Sequence, residues 1–150
     1  MNNKSIAVVV LAMKRYEKLK ITIESLRNQT NPLDEIIVVF QGKDDKIKRW
    51  LDQQKDVTLL VQDNLGSAGG FSAGMQLAID KGHDWVWITD DDAFPEACTL
   101  ERLVSSKHFD DDATGFLTCV VVDVNGKTYM SPVPYDANKW YGNVPVSYTH

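Results

Sequence analysis

The chain contains 150 residues, the size of one ordinary domain, which buries about 68–70% of the surface that its unfolded chain exposes. Hydrophobic residues make up 43% of it and charged residues 25%, which excludes disordered and collagen-like proteins. With 16 Lys and Arg against 21 Asp and Glu, the net charge of −5 argues against a general nucleic-acid binder.

The longest apolar run, Ile6–Met13, is much shorter than the ~20 residues that span a bilayer. Lys4 precedes it, as in a minimal signal peptide, but residues 14–18 are mostly charged where a small-residue cleavage site would stand. We therefore interpret the run as a buried strand. Cys98 and Cys119 lack metal-site spacing, and we expect a cytosolic domain without a transmembrane segment.

Apolar strands alternate with helical stretches along the chain. The predicted strands comprise residues 6–13, 35–40, 57–61, 84–89, 115–123 and 127–130. Apolar spacing over Leu19–Leu26 predicts the first helix, which Asn31-Pro32 stops. Asp44 is expected to cap a short second helix, and Asn125-Gly126 predicts a hairpin between the last two strands.

A glycine-rich stretch, Asn64–Gly74, follows the third predicted strand and precedes a third helix. That helix is expected to end at Gly82, and Pro95 is expected in the first turn of the next one. The apolar face that we expect the third helix to bury comprises Phe71, Met75, Ala78 and Ile79.

This order of elements predicts an α/β fold, in which helices cover both faces of a mostly parallel sheet. Three polar or glycine-rich segments follow strand ends, namely Gln41-Gly42, Asn64–Gly74 and Asp90–Asp92. Ligands of such sheets bind beyond the carboxyl ends of the strands. We therefore expect the three segments to converge on one crevice.

The acid triplet Asp90–Asp92 is the sharpest chemical feature. On an extended backbone Asp90 and Asp92 would point one way and Asp91 the other. Carboxylates this close need a compensating cation, and Mg²⁺ or Mn²⁺ typically binds one or two carboxylates together with substrate phosphates. The alternative is a solvated acidic turn, which is what we expect at Asp110–Asp112.

The glycine-rich stretch has two interpretations. Glycines let the backbone approach a ligand closely, and N–H groups at the start of a helix favour phosphate. The spacing matches neither a dinucleotide fingerprint nor a P-loop, which argues against both of those classes. Alternatively, the glycines let a helix pack closely against the sheet.

Residues 64–92, NLGSAGGFSAGMQLAIDKGHDWVWITDDD, resemble the donor half of a family 2 glycosyltransferase with the GT-A fold. They are most similar to the galactofuranosyl- and rhamnosyltransferase branch. The resemblance covers about residues 5–105, because VVLAMKRYEKL is similar to the first strand-to-helix junction of the family and LRNQTNPLDEIIVV to its next element. It implies a truncated GT-A fold, with a nucleotide-sugar-binding domain over residues 1–130 and the start of an incomplete acceptor region over residues 131–150.

The resemblance also implies the site residues. Asp90 and Asp92 would hold Mn²⁺ or Mg²⁺, with Asp92 as the main ligand. The donor-binding residues that it implies are Arg15, Gln41, Asn64, Gly66, Ala68, Gly69, Gly70, Asp90 and Asp91. The chain departs from the family pattern at Ala12, Lys14 and Phe40, where Thr, Asn and Asp are usual.

No catalytic base is assigned. Asp123 and Asp136 are unsupported candidates, and the three histidines His83, His108 and His150 match no family position and are expected to be structural. Trp140 and Tyr141 would stack on an acceptor sugar or, as we favour, cover the last edge of the sheet.

The implied reaction is inverting, metal-dependent transfer of a sugar from a UDP- or dTDP-sugar to a saccharide acceptor. The implied setting is cell-surface polysaccharide synthesis in the cytoplasm, at the inner face of the membrane through peripheral association. The alternatives are a non-catalytic or truncated nucleotide-sugar-binding module and a sugar nucleotidyltransferase. The latter would carry a glycine- and arginine-rich loop where this chain has LAMKRYEKL. A receiver domain would place its acids after the first and third strands.

Overall fold

A four-stranded parallel sheet forms the first part of the fold in the computed structural model, which describes residues 4–123, 125–130, 143–144 and 148–149. The strands lie in the order β3-β2-β1-β4. Their bounds are β1 (Ile6–Ala12), β2 (Glu35–Phe40), β3 (Val57–Val61) and β4 (Trp85–Asp90). β1 pairs with β2 on one side and β4 on the other, and it is buried along almost its whole length. Its continuous apolar run is thereby explained, since neither of its faces is left to solvent.

The described residues form two compact units. The first comprises the residues up to Ile23 together with Leu33–Asp92, and the second comprises Glu24–Pro32 and the residues from Ala93 onward. The domain boundary predicted at residue 130 stays a prediction. Residues 131–142, with Asp136, Trp140 and Tyr141, lie outside the described residues, as does His150.

Three helices connect the strands of the first unit, namely α1 (Tyr16–Arg27), α2 (Asp45–Asp52) and α3 (Gly66–Asp80). The chain steps in one direction from β1 to β2 to β3 and then crosses back to β4. Right-handed crossovers therefore place α1 and α2 on one face of the sheet and α3 on the other. The predicted α/β fold with helices on both faces is confirmed.

The ends of the first two helices follow local chemistry. Asp44 caps α2 as predicted, because its Oδ1 accepts a hydrogen bond from the Lys46 backbone N–H at 2.8 Å. α1 ends at Arg27, which is earlier than the predicted stop at Asn31-Pro32.

The glycine-rich stretch does not precede α3 as a loop, because the helix already begins at Gly66. The predicted buried face of this helix is right for Ala78 and for Phe71, which packs against the core, but wrong for Met75 and Ile79. Its buried residues are Gly70, Gly74 and Ala78, whereas Met75 and Ile79 are exposed. The periodicity of large apolar residues misled the prediction, since the smallest residues of α3 face the sheet.

The small residues of α3 let its backbone approach the sheet closely. A Cβ atom at Gly74 would lie 2.4 Å from Val9 Cγ1 and 2.8 Å from Val39 Cγ2. A Cβ atom at Gly70 would lie 2.4 Å from Leu11 Cδ1. Neither position has room for a side chain, so the packing interpretation of these two glycines is confirmed.

α3 ends as predicted at Gly82. The last helical residue is Asp80 and Lys81 is the C-cap, so Gly82 is the first residue beyond the helix, with a φ of +86°, which favours glycine. The Gly82 N–H donates to Ile79 O at 2.9 Å and the His83 N–H to Ala78 O at 3.2 Å. These two bonds satisfy the last carbonyls of the helix.

Glu35, at the amino end of β2, collects three hydrogen-bond donors. Its Oε1 accepts from Lys81 Nζ and Thr58 Oγ1, and its Oε2 lies 2.8 Å from His83 Nε2. Burial alone would raise the pKa of Glu35, but the three donors outweigh it and lower that pKa to about 2. His83 therefore lies at the edge of the sheet opposite the carboxyl ends of the strands, and a structural role is consistent with these contacts.

The second unit contains a short helix and several short strands. Their bounds are β5 (Phe94–Pro95), α4 (Thr99–Val104), β6 (Thr118–Cys119), β7 (Val121–Val122), β8 (Thr128–Met130), β9 (Asn143–Val144) and β10 (Tyr148–Thr149). The prediction that Pro95 opens a helix is wrong. Pro95 lies in the edge strand β5, opposite Tyr148, where its missing N–H costs little.

The predicted strand over residues 115–123 is interrupted, and only β6 and β7 form within it. The hairpin predicted at Asn125-Gly126 is confirmed by the antiparallel pairing of β7 with β8. Asp123 Oδ1 accepts the backbone N–H groups of Asn125 and Lys127, each at 2.9 Å. Within the described residues, no helix is long and apolar enough to cross a membrane.

Replacing Gly74 by Val tests the close packing of α3. We expect Gly74→Val to lower the free energy of unfolding by about 1–3 kcal/mol, because the added methyl groups overlap Val9 and Val39. Ser72→Val places the same side chain at an exposed position of the same helix and should change the free energy of unfolding by less than about 0.5 kcal/mol. Urea denaturation measures both, and equal effects would contradict the packing argument.

Glu35→Gln tests the carboxylate at the amino edge. Because the folded pKa of Glu35 is about 2 and its ordinary value is 4.5, its contribution to stability is complete above pH 4.5 and is lost as the pH falls towards 2. That contribution amounts to about 3 kcal/mol. The stability gap between wild type and Glu35→Gln, measured by urea denaturation, should therefore be large at pH 7 and close on acidification. The exposed Glu96→Gln is the control, and a gap independent of pH would refute the assignment.

Candidate functional site

The carboxyl ends of the central strands meet at one edge of the sheet. Leu11 near the end of β1 pairs with Asp90 of β4, and Ala12 pairs with Phe40 of β2. β1 leads to β2 on one side while β4 lies on its other side, so the strand order reverses between β1 and β4. Such a reversal leaves a crevice beyond the strand ends, where α/β sheets bind ligands.

The acid triplet lies at this reversal, but its side chains do not alternate as predicted. β4 ends at Asp90, which is exposed, and the backbone turns at the next two residues. Arg15 Nη1 lies 2.8 Å from Asp91 Oδ1 and 2.9 Å from Asp92 Oδ1. Asp91 and Asp92 therefore converge on the same cation. The prediction assumed an extended backbone through all three acids, whereas β4 ends at Asp90.

Asp91 is the most deeply buried of the three acids, with a side chain that is 6% exposed. Burial raises its pKa above the ordinary value, although Arg15 and the Met13 backbone N–H, 3.4 Å from Oδ2, act in the opposite direction. Burial alone would lower the pKa of Arg15, but Asp91 and Asp92 outweigh it and raise that pKa. Arg15 thus stays cationic and compensates a carboxylate that water reaches poorly.

Two further residues of α1 contact the triplet. Lys18 Nζ lies 3.3 Å from Asp92 Oδ2, and Thr22 Oγ1 donates to the Asp91 carbonyl oxygen at 3.1 Å. Together with Arg15 they are spaced as one face of a helix, three and seven residues apart. Lys18 and Thr22 are not among the predicted site residues, although their spacing from Arg15 is the signal that could have identified them.

The glycine-rich stretch contacts the carboxyl end of β2. Gln41 is buried, and its Nε2 donates to the Gly66 carbonyl oxygen at 3.3 Å. A Cβ atom at Gly70 would lie 2.7 Å from the same nitrogen. Asn64 Oδ1 accepts the Gly66 N–H at 3.0 Å, and Gly66 has a φ of +72°, where glycine is favoured. Gln41, Asn64, Gly66 and Gly70 are therefore brought together, as expected from their places at strand ends.

Met13 connects this group to the acid triplet. Its N–H approaches Asp91, and its Sδ lies 4.0 Å from Asn64 Nδ2. Ala68 is exposed and Gly69 partly buried on the first turn of α3. Leu65 precedes this helix and provides no side-chain cap. Apart from the Gly66 N–H, which Asn64 accepts, the turn presents backbone N–H groups of the kind that bind anions.

The three positions that depart from the family pattern differ in exposure. Ala12 and Phe40 are buried in the sheet, whereas Lys14 is exposed. Asp123 does not resemble a free base, since its carboxylate is engaged in the hairpin turn.

The carboxylates of the acid triplet are chemically suited to bind a divalent ion. Within the described residues, no three His, Cys, Asp or Glu side chains are grouped to hold a metal ion. Mg²⁺ and Mn²⁺ need only one or two carboxylates when substrate phosphates complete the coordination. Asp90 and Asp92 supply hard oxygen donors of this kind, although both oxygens of Asp92 are paired with Arg15 and Lys18.

Arg15→Met tests the compensation of Asp91. We expect this change to lower the free energy of unfolding at pH 7 by about 1–3 kcal/mol, because it leaves a buried carboxylate without its cation. The folded pKa of Asp91 then rises further above 3.8, so the variant should lose stability relative to wild type as the pH rises from 4 to 7.

Urea denaturation at several pH values measures this loss. Lys14→Met removes an exposed neighbouring cation and serves as the matched control. A loss of stability that is equal for the two variants, or that does not change with pH, would contradict the role assigned to Arg15.

Comparisons with known proteins agree with this geometry. Residues 7–145 match the sequence profile of the family described as "Glycosyl transferase family 2". A galactofuranosyltransferase, GlfT1, of Mycolicibacterium smegmatis is 34% identical over 106 residues, which cover 69% of this chain and 35% of that protein. A glucosyl-dolichyl phosphate glucuronosyltransferase of Haloferax volcanii is 30% identical over 123 residues, covering 79% of this chain and 38% of that protein.

Among solved structures, the mannosyltransferase PcManGT from Pyrobaculum calidifontis, in complex with GDP-Man and Mn²⁺, superimposes with a TM-score of 0.63 at 22% identity. The match covers 81% of this chain and 37% of that one, and it supports the GT-A fold. The chain thus spans about a third of the length of the curated relatives that it matches. From the family profile that covers nearly all of its residues, the chain belongs to glycosyl transferase family 2.

Proposed function

We propose that this chain binds a nucleoside-diphosphate sugar, a UDP- or dTDP-sugar, and takes part in transfer of that sugar to a saccharide acceptor. The observation that carries the proposal is the convergence of three groups at one reversal of strand order. These are the Arg15–Asp92 pair, the buried Gln41 amide and the first turn of α3, which has no side-chain cap from Leu65. The galactofuranosyltransferase relative supports sugar transfer.

Each group supports recognition of a different part of the donor. The N–H groups at the start of α3 suit the diphosphate, since the positive end of the helix dipole favours anions. Arg15 contacts its acids only through Nη1, and its side chain is 47% exposed, so further guanidinium N–H groups remain for a phosphate. Gln41 lies at the end of β2, and we assign its amide and Asn64 to the nucleoside.

We assign the metal to Asp92 and Asp90. A bound Mn²⁺ or Mg²⁺ would supply Lewis-acid stabilisation of the charge that grows on the departing diphosphate. Asp91, for which the resemblance implies donor binding, is buried and engaged with Arg15 and Met13. We therefore propose that Asp91 positions Arg15, and that it acts on the donor through that residue.

The proposed transfer inverts the anomeric centre, because the acceptor hydroxyl attacks opposite the diphosphate. A carboxylate base would take the hydroxyl proton. The proposed setting is cell-surface polysaccharide synthesis at the cytoplasmic face of a membrane. The second candidate is a module that binds the donor without transferring sugar. It is favoured by the contacts of Asp123, a candidate base whose carboxylate is engaged in the hairpin turn.

Calorimetric titration of UDP and dTDP, with and without Mn²⁺, tests the proposal. We expect binding that requires the metal and that Asp92→Ala weakens by about tenfold or more, which corresponds to about 1.4 kcal/mol or more. Asp112→Ala removes an acid from the exposed run at residues 110–112 and should leave binding unchanged.

The nucleotide that binds more tightly identifies the donor class. Absence of binding by wild type under every condition would refute the proposed donor site. Binding without release of UDP or dTDP in the presence of sugar donor and saccharide acceptors would favour the non-catalytic module.

A further inference from the structure

A basic surface lies on α1 and α2 of a chain that is acidic as a whole. Residues 14–20 and 43–49 contain eight of the 16 Lys and Arg but only three of the 21 Asp and Glu. Their formal charge is therefore +5, whereas the rest of the chain carries −10. A separation of charge on this scale favours an anionic partner at this surface.

Aromatic rings join the two segments. Tyr16 at the start of α1 meets Trp50 of α2 edge to face, with ring centroids 5.7 Å apart. Lys46 Nζ lies 4.4 Å and Lys20 Nζ 4.6 Å from the centroid of the Tyr16 ring. The ring thus holds lysines of both helices around it through cation–π attraction.

The loops before the two helices also touch. A Cβ atom at Gly42 would lie 2.0 Å from the Met13 carbonyl oxygen, so the two backbones are in direct contact. The residues that follow them in the chain are Lys14 and Lys43, and both are exposed. Met13 itself is an exposed apolar side chain beside them. We name the set Lys14, Tyr16, Lys20, Lys43, Lys46 and Trp50 the α1–α2 basic face.

Part of the positive charge is already compensated. Arg15 and Lys18 pair with the acid triplet, Lys20 pairs with Glu17 at 2.6 Å, and Lys48 pairs with Asp52 at 2.8 Å. By contrast, Lys14, Lys43 and Lys46 form no ion pair with any carboxylate of the described part of the chain. Their charge is available to a partner from outside.

We propose that the α1–α2 basic face docks the protein on an anionic lipid surface. Lysines near such a surface are attracted by its negative potential, while Tyr and Trp are the residues preferred at a membrane–water interface. The positive charge is spread over two helices. A surface of this kind matches an extended lipid leaflet better than a single phosphate group, which would need an enclosed site. Because α1 and α2 start at the carboxyl ends of β1 and β2, docking would bring the first unit's crevice next to the lipid surface.

The membrane setting rests on the proposed function, but the test of membrane binding does not require that the chain bind or transfer a sugar. The full chain is sedimented with vesicles of phosphatidylcholine alone or with about three-tenths phosphatidylglycerol, without sugar nucleotide. We expect binding only to the anionic vesicles, and release as NaCl rises from about 0.1 M to about 0.5 M. Retained UDP binding with no vesicle binding would overturn this proposal alone.

The decisive variant is Lys14→Glu/Lys43→Glu/Lys46→Glu. It should lower the partition coefficient by more than about a hundredfold, because each lost lysine accounts for a factor of about five and each new glutamate is in addition repelled by the anionic leaflet. The matched control Lys55→Glu/Lys107→Glu/Lys127→Glu changes the net charge equally at other exposed positions. If the two triple variants lost vesicle binding equally, the effect would come from net charge alone, and the proposal would be overturned. The milder Lys14→Gln/Lys43→Gln/Lys46→Gln, with its fold checked by thermal denaturation, should lose binding to an intermediate extent, and no loss would also overturn it.

Discussion

The buried carboxylate of Asp91 is the constraint on which the candidate site depends. It lies beyond β4, far along the chain from β1, and a charged group with 6% exposure requires a cation and hydrogen-bond donors close to it. Arg15 and the Met13 N–H meet that requirement, and both belong to the junction between β1 and α1. The pairing therefore fixes the geometry of two loops at the reversal of strand order. Asp92 is held beside the same guanidinium as a consequence.

The second constraint is the close contact between α3 and the sheet. Because Gly70 and Gly74 have no side chain, the helix backbone lies against Val9 and Leu11. The same contact brings the first turn of α3 to Gln41, whose amide binds the Gly66 carbonyl. The two interpretations of the glycine-rich stretch are thus compatible, since close packing of later glycines positions the earlier backbone for a ligand.

Much of the fold could be predicted from the sequence because its signals are local. Short apolar runs predicted the four parallel strands, Asp44 predicted a helix cap, and Asn125-Gly126 predicted a hairpin. Other features depend on partners distant in the chain. Pro95 joins an edge strand instead of a helix because residues near the end of the chain pair with it. The convergence of Asp91 and Asp92 could not be predicted either, since it depends on where β4 ends and on the reach of Arg15.

The pairing of Asp92 has a consequence for ligand binding. Its two oxygens contact Arg15 and Lys18, so a divalent ion bound there would compete with these cations for the carboxylate and repel them. A displaced cation beside the crevice would be left uncompensated unless an anion arrived with the metal. A diphosphate supplies such an anion, and the exposed parts of both side chains are suited to receive it. Charge balance alone therefore predicts that metal and nucleotide bind together with mutual enhancement, and that either ligand alone binds weakly.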